Sequence, residues 1–177
     1  MAVSHSQEET MSAQPGIEER AAQPYAAIKG VVTMDSIGAI ADRLPDVFGW
    51  LYAHGLEPAG APFLKYNLID MERQLEIEAG VPVVATPGQS DNTVIFGVLP
   101  AGRYATVTYV GHPSGLVNAT AALLDWAAGQ ELEWDVTETA DGQRWRCRLE
   151  VLRTDPNVEP DMDKWETQLA FRLSGVA

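Results

Sequence analysis

The segment Tyr25-Ala-Ala-Ile-Lys-Gly-Val-Val32 combines aromatic and β-branched residues, which is typical of a β-strand. A helical pattern follows at 37–51, where apolar residues recur at three- and four-residue steps. Pro45 lies inside this pattern and cannot donate an intrahelical hydrogen bond, so we expect it to divide a short turn from a second helix. Strands are then predicted at 63–69 and 74–84, which completes a strand-helix-strand-strand unit.

The same order of elements returns in the second half of the chain. The strand Arg103-Tyr-Ala-Thr-Val-Thr-Tyr-Val110 precedes a helical pattern at 114–128 and further strands at 145–152 and 165–173. Two such units can pair their sheets about a pseudo-twofold axis with the helices on one face. We therefore expect a duplicated α+β fold with an antiparallel sheet and a central ligand cleft where the halves meet.

The domain organisation follows from the change in composition near the start of the chain. Residues 1–15 combine Ser, Gln, Glu and Ala with almost no large apolar residues, so we expect a disordered tail there. Residues 16–177 are expected to form a single domain, with halves at about 16–98 and 99–177.

Charge and hydropathy exclude several kinds of partner. The formal net charge of -13 would repel nucleic-acid phosphates, so no nucleic acid is expected. No apolar stretch approaches the roughly 20 residues that span a bilayer, and no signal core is present. We expect a soluble, cytoplasmic protein without a membrane partner, and the acidic surface leaves a protein partner open.

Metal and cofactor chemistry have no visible support in the sequence. Cys147 is the only cysteine, and the chain has neither a Gly-rich phosphate loop nor a metal-ligand cluster, so we expect no metal and no cofactor. The alternating run Trp145-Arg-Cys-Arg-Leu-Glu-Val151 predicts that Cys147 lies with its alternate neighbours on one buried strand face.

Polar residues two positions apart occur in the last strand of each half and therefore share a face: Glu76 with Glu78, and Glu166 with Gln168. Aligning the repeats makes Glu78 the mate of Gln168. In a pseudo-twofold fold these residues would converge on the axis. The alternative is that they lie on a solvated sheet face.

A cationic ligand would compensate carboxylates that an apolar cleft desolvates. Aromatic rings would add cation-π attraction of about 0.5 to 2 kcal/mol each. Alternatively, the rings fill the core. His112, in Gly-His-Pro after a strand, is expected near the cleft mouth. The candidate rings are Tyr66, Tyr104, Tyr109, Trp134 and Trp165.

Five short motifs occur in a specific order, and together they resemble the GyrI-like family. This family includes effector-binding domains of multidrug-responsive transcription activators and free-standing relatives that bind or hydrolyse small molecules. The resemblance implies a duplicated fold whose central cleft accepts large hydrophobic cations, and it favours Glu76 and Glu78 as ligand contacts. The motifs are Pro58-Ala-Gly-Ala-Pro-Phe63, Leu75-Glu-Ile-Glu-Ala-Gly-Val-Pro82, Leu99-Pro-Ala-Gly102, Thr154-Asp-Pro156 and Trp165-Glu-Thr167.

The resemblance also identifies weak candidates for catalysis. Hydrolytic members of the family use a Trp followed three residues later by a Glu in the last strand. Here Trp165 is followed by Gln168, and an amide cannot act as a general base. Hydrolysis would require Glu166 or Glu78 to take over that role.

Three hypotheses follow for the function. The first is a stand-alone binding protein for bulky, lipophilic and cationic small molecules, which would sequester or sense them. The second is a hydrolase that detoxifies small electrophilic, cyclopropane-type compounds in the same cleft. The third is an acidic regulator that docks on a basic DNA-handling enzyme such as gyrase.

Overall fold

The computed structural model describes residues 14–70, 72, 74–85 and 93–175. Three α-helices occur in this part of the chain: α1 (Ile37–Ala41), α2 (Leu44–Ala53) and α3 (Leu116–Gly129). Short 3-10 turns precede α1, α3 and the last strand. The described strands are β1 (Gly16–Arg20), β2 (Gln23–Val32), β3 (Phe63–Ile69), β4 (Leu75–Pro82), β5 (Ile95–Leu99), β6 (Gly102–Val110), β7 (Val136–Thr139), β8 (Gly142–Trp145), β9 (Arg148–Leu152) and β10 (Glu166–Arg172).

The strands form one antiparallel sheet in the order β1-β6-β10-β9-β3-β4-β2-β5, and the β7-β8 hairpin joins it at β3. This arrangement confirms the predicted α+β fold. The two halves meet at β3 and β9, so a pseudo-twofold axis relates β2 to β6, β3 to β9 and β4 to β10. The short strand before each half pairs with the opposite half, because β1 pairs with β6 and β5 pairs with β2.

Strand register agrees with the alignment of the two repeats. Tyr25 on β2 lies opposite Pro82 on β4, just as Tyr104 on β6 lies opposite Arg172 on β10. Counting back along β4 and β10 from these pairs makes Glu78 and Gln168 equivalent positions, which lie on the same face of the sheet.

The helices pack on one face of the sheet, which we call the helix face. Leu44, Val47 and Leu51 of α2 are buried against the first half, and Leu123 of α3 is buried against the second. Pro45 lies in the first turn of α2, where its missing N–H costs no hydrogen bond, as the sequence predicts. Each half thus buries one apolar helix stripe against its own strands.

The opposite face of the sheet, which we call the cleft face, has its own apolar cluster. Tyr25, Phe63, Tyr104 and Leu149 belong to it, and they come from β2, β3, β6 and β9. This cluster therefore spans both halves of the sheet and forms the base on which the candidate site is built.

The predicted strand at 145–152 is interrupted, and this changes which face its residues occupy. β8 ends at Trp145 and β9 begins at Arg148, so one extra residue breaks the alternation. Trp145 packs in the helix-face core, whereas Cys147 is buried in the cleft-face cluster. The prediction that these side chains share one face was wrong, although both are buried.

The tail predicted at 1–15 lies largely outside the described residues, which begin at residue 14. Within the described part of the chain, no helix has both the length and the apolar character needed to cross a bilayer.

Candidate functional site

A cavity of about 600 Å³, the main cleft, opens on the cleft face beside the junction of the two halves. Its walls come from the β1-β2 connection, the start of β3, and parts of β6, β9 and β10. The lining residues are Arg20, Ala21, Ala22, Gln23, Ala61, Phe63, Pro82, Leu99, Tyr104, Leu149, Val151, Arg153 and Gln168.

Aromatic and aliphatic side chains form most of this lining. The Phe63 ring packs edge-on against Tyr25, with ring centroids 5.4 Å apart. Gly80 makes room for it, because a Cβ at that position would lie 2.5 Å from the Phe63 ring. The Tyr104 hydroxyl donates a hydrogen bond to the Pro100 carbonyl at 2.6 Å, so its polar end is satisfied within the protein. An apolar ligand body could pack on these rings without leaving a buried hydroxyl unpaired.

Gln168 is the polar centre of the main cleft. Its Oε1 accepts hydrogen bonds from Nη2 of Arg20 and Nη2 of Arg153, both at 2.8 Å. The Arg20 guanidinium also lies 5.4 Å from the centre of the Tyr104 ring. Among the described residues that line this cleft, the charged side chains are Arg20 and Arg153, and none is acidic.

Glu78 lies on the same face but is only 4% exposed, and internal partners occupy its carboxylate. The Tyr25 hydroxyl donates to Oε1 at 2.8 Å, while Asn67 Nδ2 and Lys65 Nζ donate to Oε2 at 2.7 and 3.4 Å. Burial and the Glu78 charge raise the pKa of Tyr25 well above its ordinary value, so this phenol stays a donor. Side chains of neighbouring strands thus compensate the charge of Glu78. Glu78 does not line the main cleft.

A second cleft, of about 450 Å³, contains Glu76. The Glu76 carboxylate lies 4.0 Å from Lys29 Nζ and 3.8 Å from Arg144 Nη1. This cleft is polar, and its lining residues are Lys65, Asn67, Glu76, Asp135, Thr137, Arg144, Trp145 and Arg146. The structure therefore separates Glu76 from Gln168, which lines the main cleft.

Three of the proposed rings lie on the helix face. Tyr66 and Tyr109 are buried there in the cores of the first and second halves. Trp134 packs against Trp145 and Phe171, with ring centroids 5.7 and 5.9 Å apart. Of the five proposed rings, the structure places Tyr104 in the lining of the main cleft.

The remaining candidates lie near the start of β10. Trp165 is half-buried, and its Nε1 donates to the Glu159 carbonyl at 2.7 Å. Glu166 is half-buried, and its backbone N–H donates to Thr154 Oγ1 at 2.9 Å. His112 is exposed, and its Nδ1 accepts from the backbone N–H of Ser114 at 3.1 Å, which caps the turn before α3. None of these three is among the described residues that line either cleft.

Several residues of the main cleft have no counterpart in the sequence prediction. Alternation along β9 places Leu149, Val151 and Arg153 on one side, and this signal was available in the sequence. Arg20 could not be found in that way, because its position depends on the pairing of β1 with β6, more than eighty residues away in the chain.

Comparison with known proteins gives both a family and structural neighbours. The model of the family described as GyrI-like small molecule binding domain matches residues 13–163. No curated protein has a significant match to the sequence. The C-terminal domain of EcmrR is similar in structure, with a TM-score of 0.72 and 19% identity over 94% of this chain and 100% of that domain.

Two further solved structures show the same fold at lower similarity. SAV2435 bound to tetraphenylphosphonium has a TM-score of 0.61 and 11% identity over 92% of this chain and 95% of its own. A hydrolase from Listeria innocua has a TM-score of 0.62 and 11% identity over 93% of each chain.

EcmrR has also been solved in a complex with DNA, which matches with a TM-score of 0.73 and 20% identity. That match covers 92% of this chain but only 58% of EcmrR.

Proposed function

This chain belongs to the family of GyrI-like small molecule binding domains, and we propose on that basis that it binds a bulky, lipophilic small molecule in the main cleft. The observation that carries the proposal is the cavity of about 600 Å³ lined by Phe63, Tyr104, Leu149 and Val151. Ligand sites typically combine apolar and aromatic side chains with a small number of polar groups that orient the ligand. In the main cleft, Arg20, Arg153 and Gln168 are among the polar groups beside this apolar surface.

A cationic ligand is the second candidate, and Glu78 is the residue that favours it. This carboxylate lies on the cleft face, and the net charge of -13 would attract cations over a long range. SAV2435, which has the same fold, was solved with the lipophilic cation tetraphenylphosphonium. Against this candidate, Lys65 and Asn67 already bind Glu78, and the charged groups that line the main cleft are guanidiniums.

A neutral fluorescent probe, N-phenylnaphthylamine, tests the proposal without involving charge. We expect the wild type to bind it with a Kd on the order of 10 μM. Ala61 lines the main cleft, so Ala61→Trp should fill part of the cavity and weaken binding at least about tenfold, as measured by fluorescence titration.

The matched control is Ala121→Trp, which adds the same side chain at an exposed position of α3. It should leave the Kd of N-phenylnaphthylamine unchanged. Equal affinity in wild type and Ala61→Trp would show that the probe binds elsewhere and would overturn the assignment of the main cleft.

A further inference from the structure

The two arginines of the main cleft share one neutral hydrogen-bond acceptor, the side chain of Gln168. Arg20 comes from β1 and Arg153 follows β9, yet both guanidiniums donate to the same Gln168 Oε1 at 2.8 Å. A neutral amide oxygen can accept these hydrogen bonds but cannot neutralise two positive charges. An ionised carboxylate or sulfonate oxygen would accept the same hydrogen bonds and add Coulombic attraction to the two guanidiniums.

The neighbouring carboxylates leave this positive charge largely uncompensated. Arg20 pairs with Glu18 at 3.0 Å, but the Glu18 side chain is 50% exposed, so solvent screens that ion pair. Within the described part of the chain, Arg153 has no ion pair with an acidic side chain. The charged side chains in the described lining of the main cleft are therefore both positive, within a protein whose net charge is strongly negative.

Apolar surface continues directly from the arginine pair. Val151 is opposite Gln168 in the sheet, and Phe63 is opposite Val151 on the next strand. Tyr104 lies beneath the Arg20 guanidinium. A molecule with an oxyanion at one end and an aromatic or aliphatic body would thus meet guanidinium groups first and apolar side chains beyond them.

We infer that the main cleft binds a lipophilic molecule through a terminal oxyanion, a carboxylate or a sulfonate, which accepts hydrogen bonds from Arg20 and Arg153 in place of Gln168 Oε1. This inference rests on the proposed function and names the ligand class for the same cleft. It differs from cation binding in the sign of the ligand charge.

Two fluorescent probes with one shared skeleton test the inference. Anilinonaphthalene sulfonate carries an oxyanion, and N-phenylnaphthylamine lacks it. The wild type should bind the sulfonate at least about tenfold more tightly than the neutral probe, because two guanidiniums contact the anion. Arg153 is exposed, so Arg153→Met should fold normally and should remove most of this preference, measured as the ratio of the two Kd values for the same variant.

Arg146→Met provides the matched control, since it removes the same charge from an exposed arginine of the second cleft. It should leave the affinities of both probes unchanged. Loss of sulfonate binding in Arg146→Met but not in Arg153→Met would place the anion in the second cleft and overturn the inference. Equal affinity of the wild type for both probes would also overturn it, with the proposed function left standing. If neither probe binds, the proposed function itself fails.

Discussion

Replacing Gln168 with glutamate is expected to abolish the preference of the main cleft for oxyanions. The new carboxylate would lie where Oε1 now accepts from Arg20 and Arg153, so both guanidiniums would gain an internal anion. A ligand oxyanion would then lose two charge-assisted contacts and meet a like charge. Such losses cost about 2 to 5 kcal/mol, so anilinonaphthalene sulfonate should bind Gln168→Glu at least about 30-fold more weakly. N-phenylnaphthylamine should bind the variant about as well as the wild type.

The same substitution should raise the free energy of unfolding, by about 0.5 to 2 kcal/mol because the arginines are partly exposed. Two guanidiniums hold the pKa of the new carboxyl below its unfolded value of about 4.3. The added stability is therefore present above that pH and disappears as the pH falls through the folded-state pKa. Chemical denaturation at neutral and at acidic pH measures the free energy of unfolding with the new carboxyl ionised and with it protonated.

Gln130→Glu adds the same charge at an exposed position after α3 and serves as the control. It should leave the sulfonate affinity unchanged, and it should not raise the free energy of unfolding, because the C-terminus of α3 disfavours a negative charge. Unchanged sulfonate affinity in Gln168→Glu would contradict the role assigned to the arginine pair. Because the new carboxylate would be a weak base, we also expect Gln168→Glu to gain no hydrolysis of cyclopropane-type electrophiles.

Replacing Lys65 with methionine is expected to cause the largest loss of stability among the changes considered. Lys65 and Glu78 are both buried, and the Lys65 ammonium lies 3.4 Å from the Glu78 carboxylate. Removing one member of a buried ion pair leaves an uncompensated charge and costs about 3 to 5 kcal/mol. Thermal denaturation should show a Tm lower by about 10 °C for a chain of this size.

Two comparisons isolate the buried charge as the cause. Lys29→Met removes an ammonium that is about half exposed, 4.0 Å from Glu76, and should cost less than about 1 kcal/mol. The double variant Lys65→Met with Glu78→Gln should recover most of the lost stability, because no unpaired charge remains. A Lys65→Met variant as stable as Lys29→Met would show that Lys65 does not compensate Glu78.

The single variant Glu78→Gln also tests whether the ligand is a cation or an oxyanion. Since internal partners occupy Glu78, we expect this variant to bind tetraphenylphosphonium as weakly as the wild type does. A tenfold loss of tetraphenylphosphonium affinity in a folded Glu78→Gln variant would instead support the cation candidate.

The duplicated fold could be predicted because its signals are local. The helical pattern at 37–51, the breaking effect of Pro45 and the paired tyrosines at positions 25 and 104 each depend on nearby residues. β1 was not predicted, because Gly16-Ile-Glu-Glu-Arg20 has little β propensity and becomes a strand through its pairing with β6.

The site was harder to predict because strand register decides which face of the sheet each side chain occupies. Lys65 and Asn67 alternate with Tyr66, so the β3 residues on the face of Glu78 are Lys65 and Asn67, and Tyr66 points to the helices. That alternation could be predicted from the sequence. The convergence of Arg20 and Arg153 on Gln168 could not be predicted in this way, because Arg20 is 148 residues from Gln168 in the chain.

Amide NMR of the isotope-labelled protein during titration with N-phenylnaphthylamine tests the central claim most directly, because it maps where a ligand binds. We predict that the largest shift changes occur at the described lining of the main cleft, including Phe63, Tyr104, Val151 and Gln168, with α2 and α3 nearly unaffected. Changes concentrated on α2 and α3, or no saturable change at all, would contradict the account of the main cleft as a small-molecule binding site.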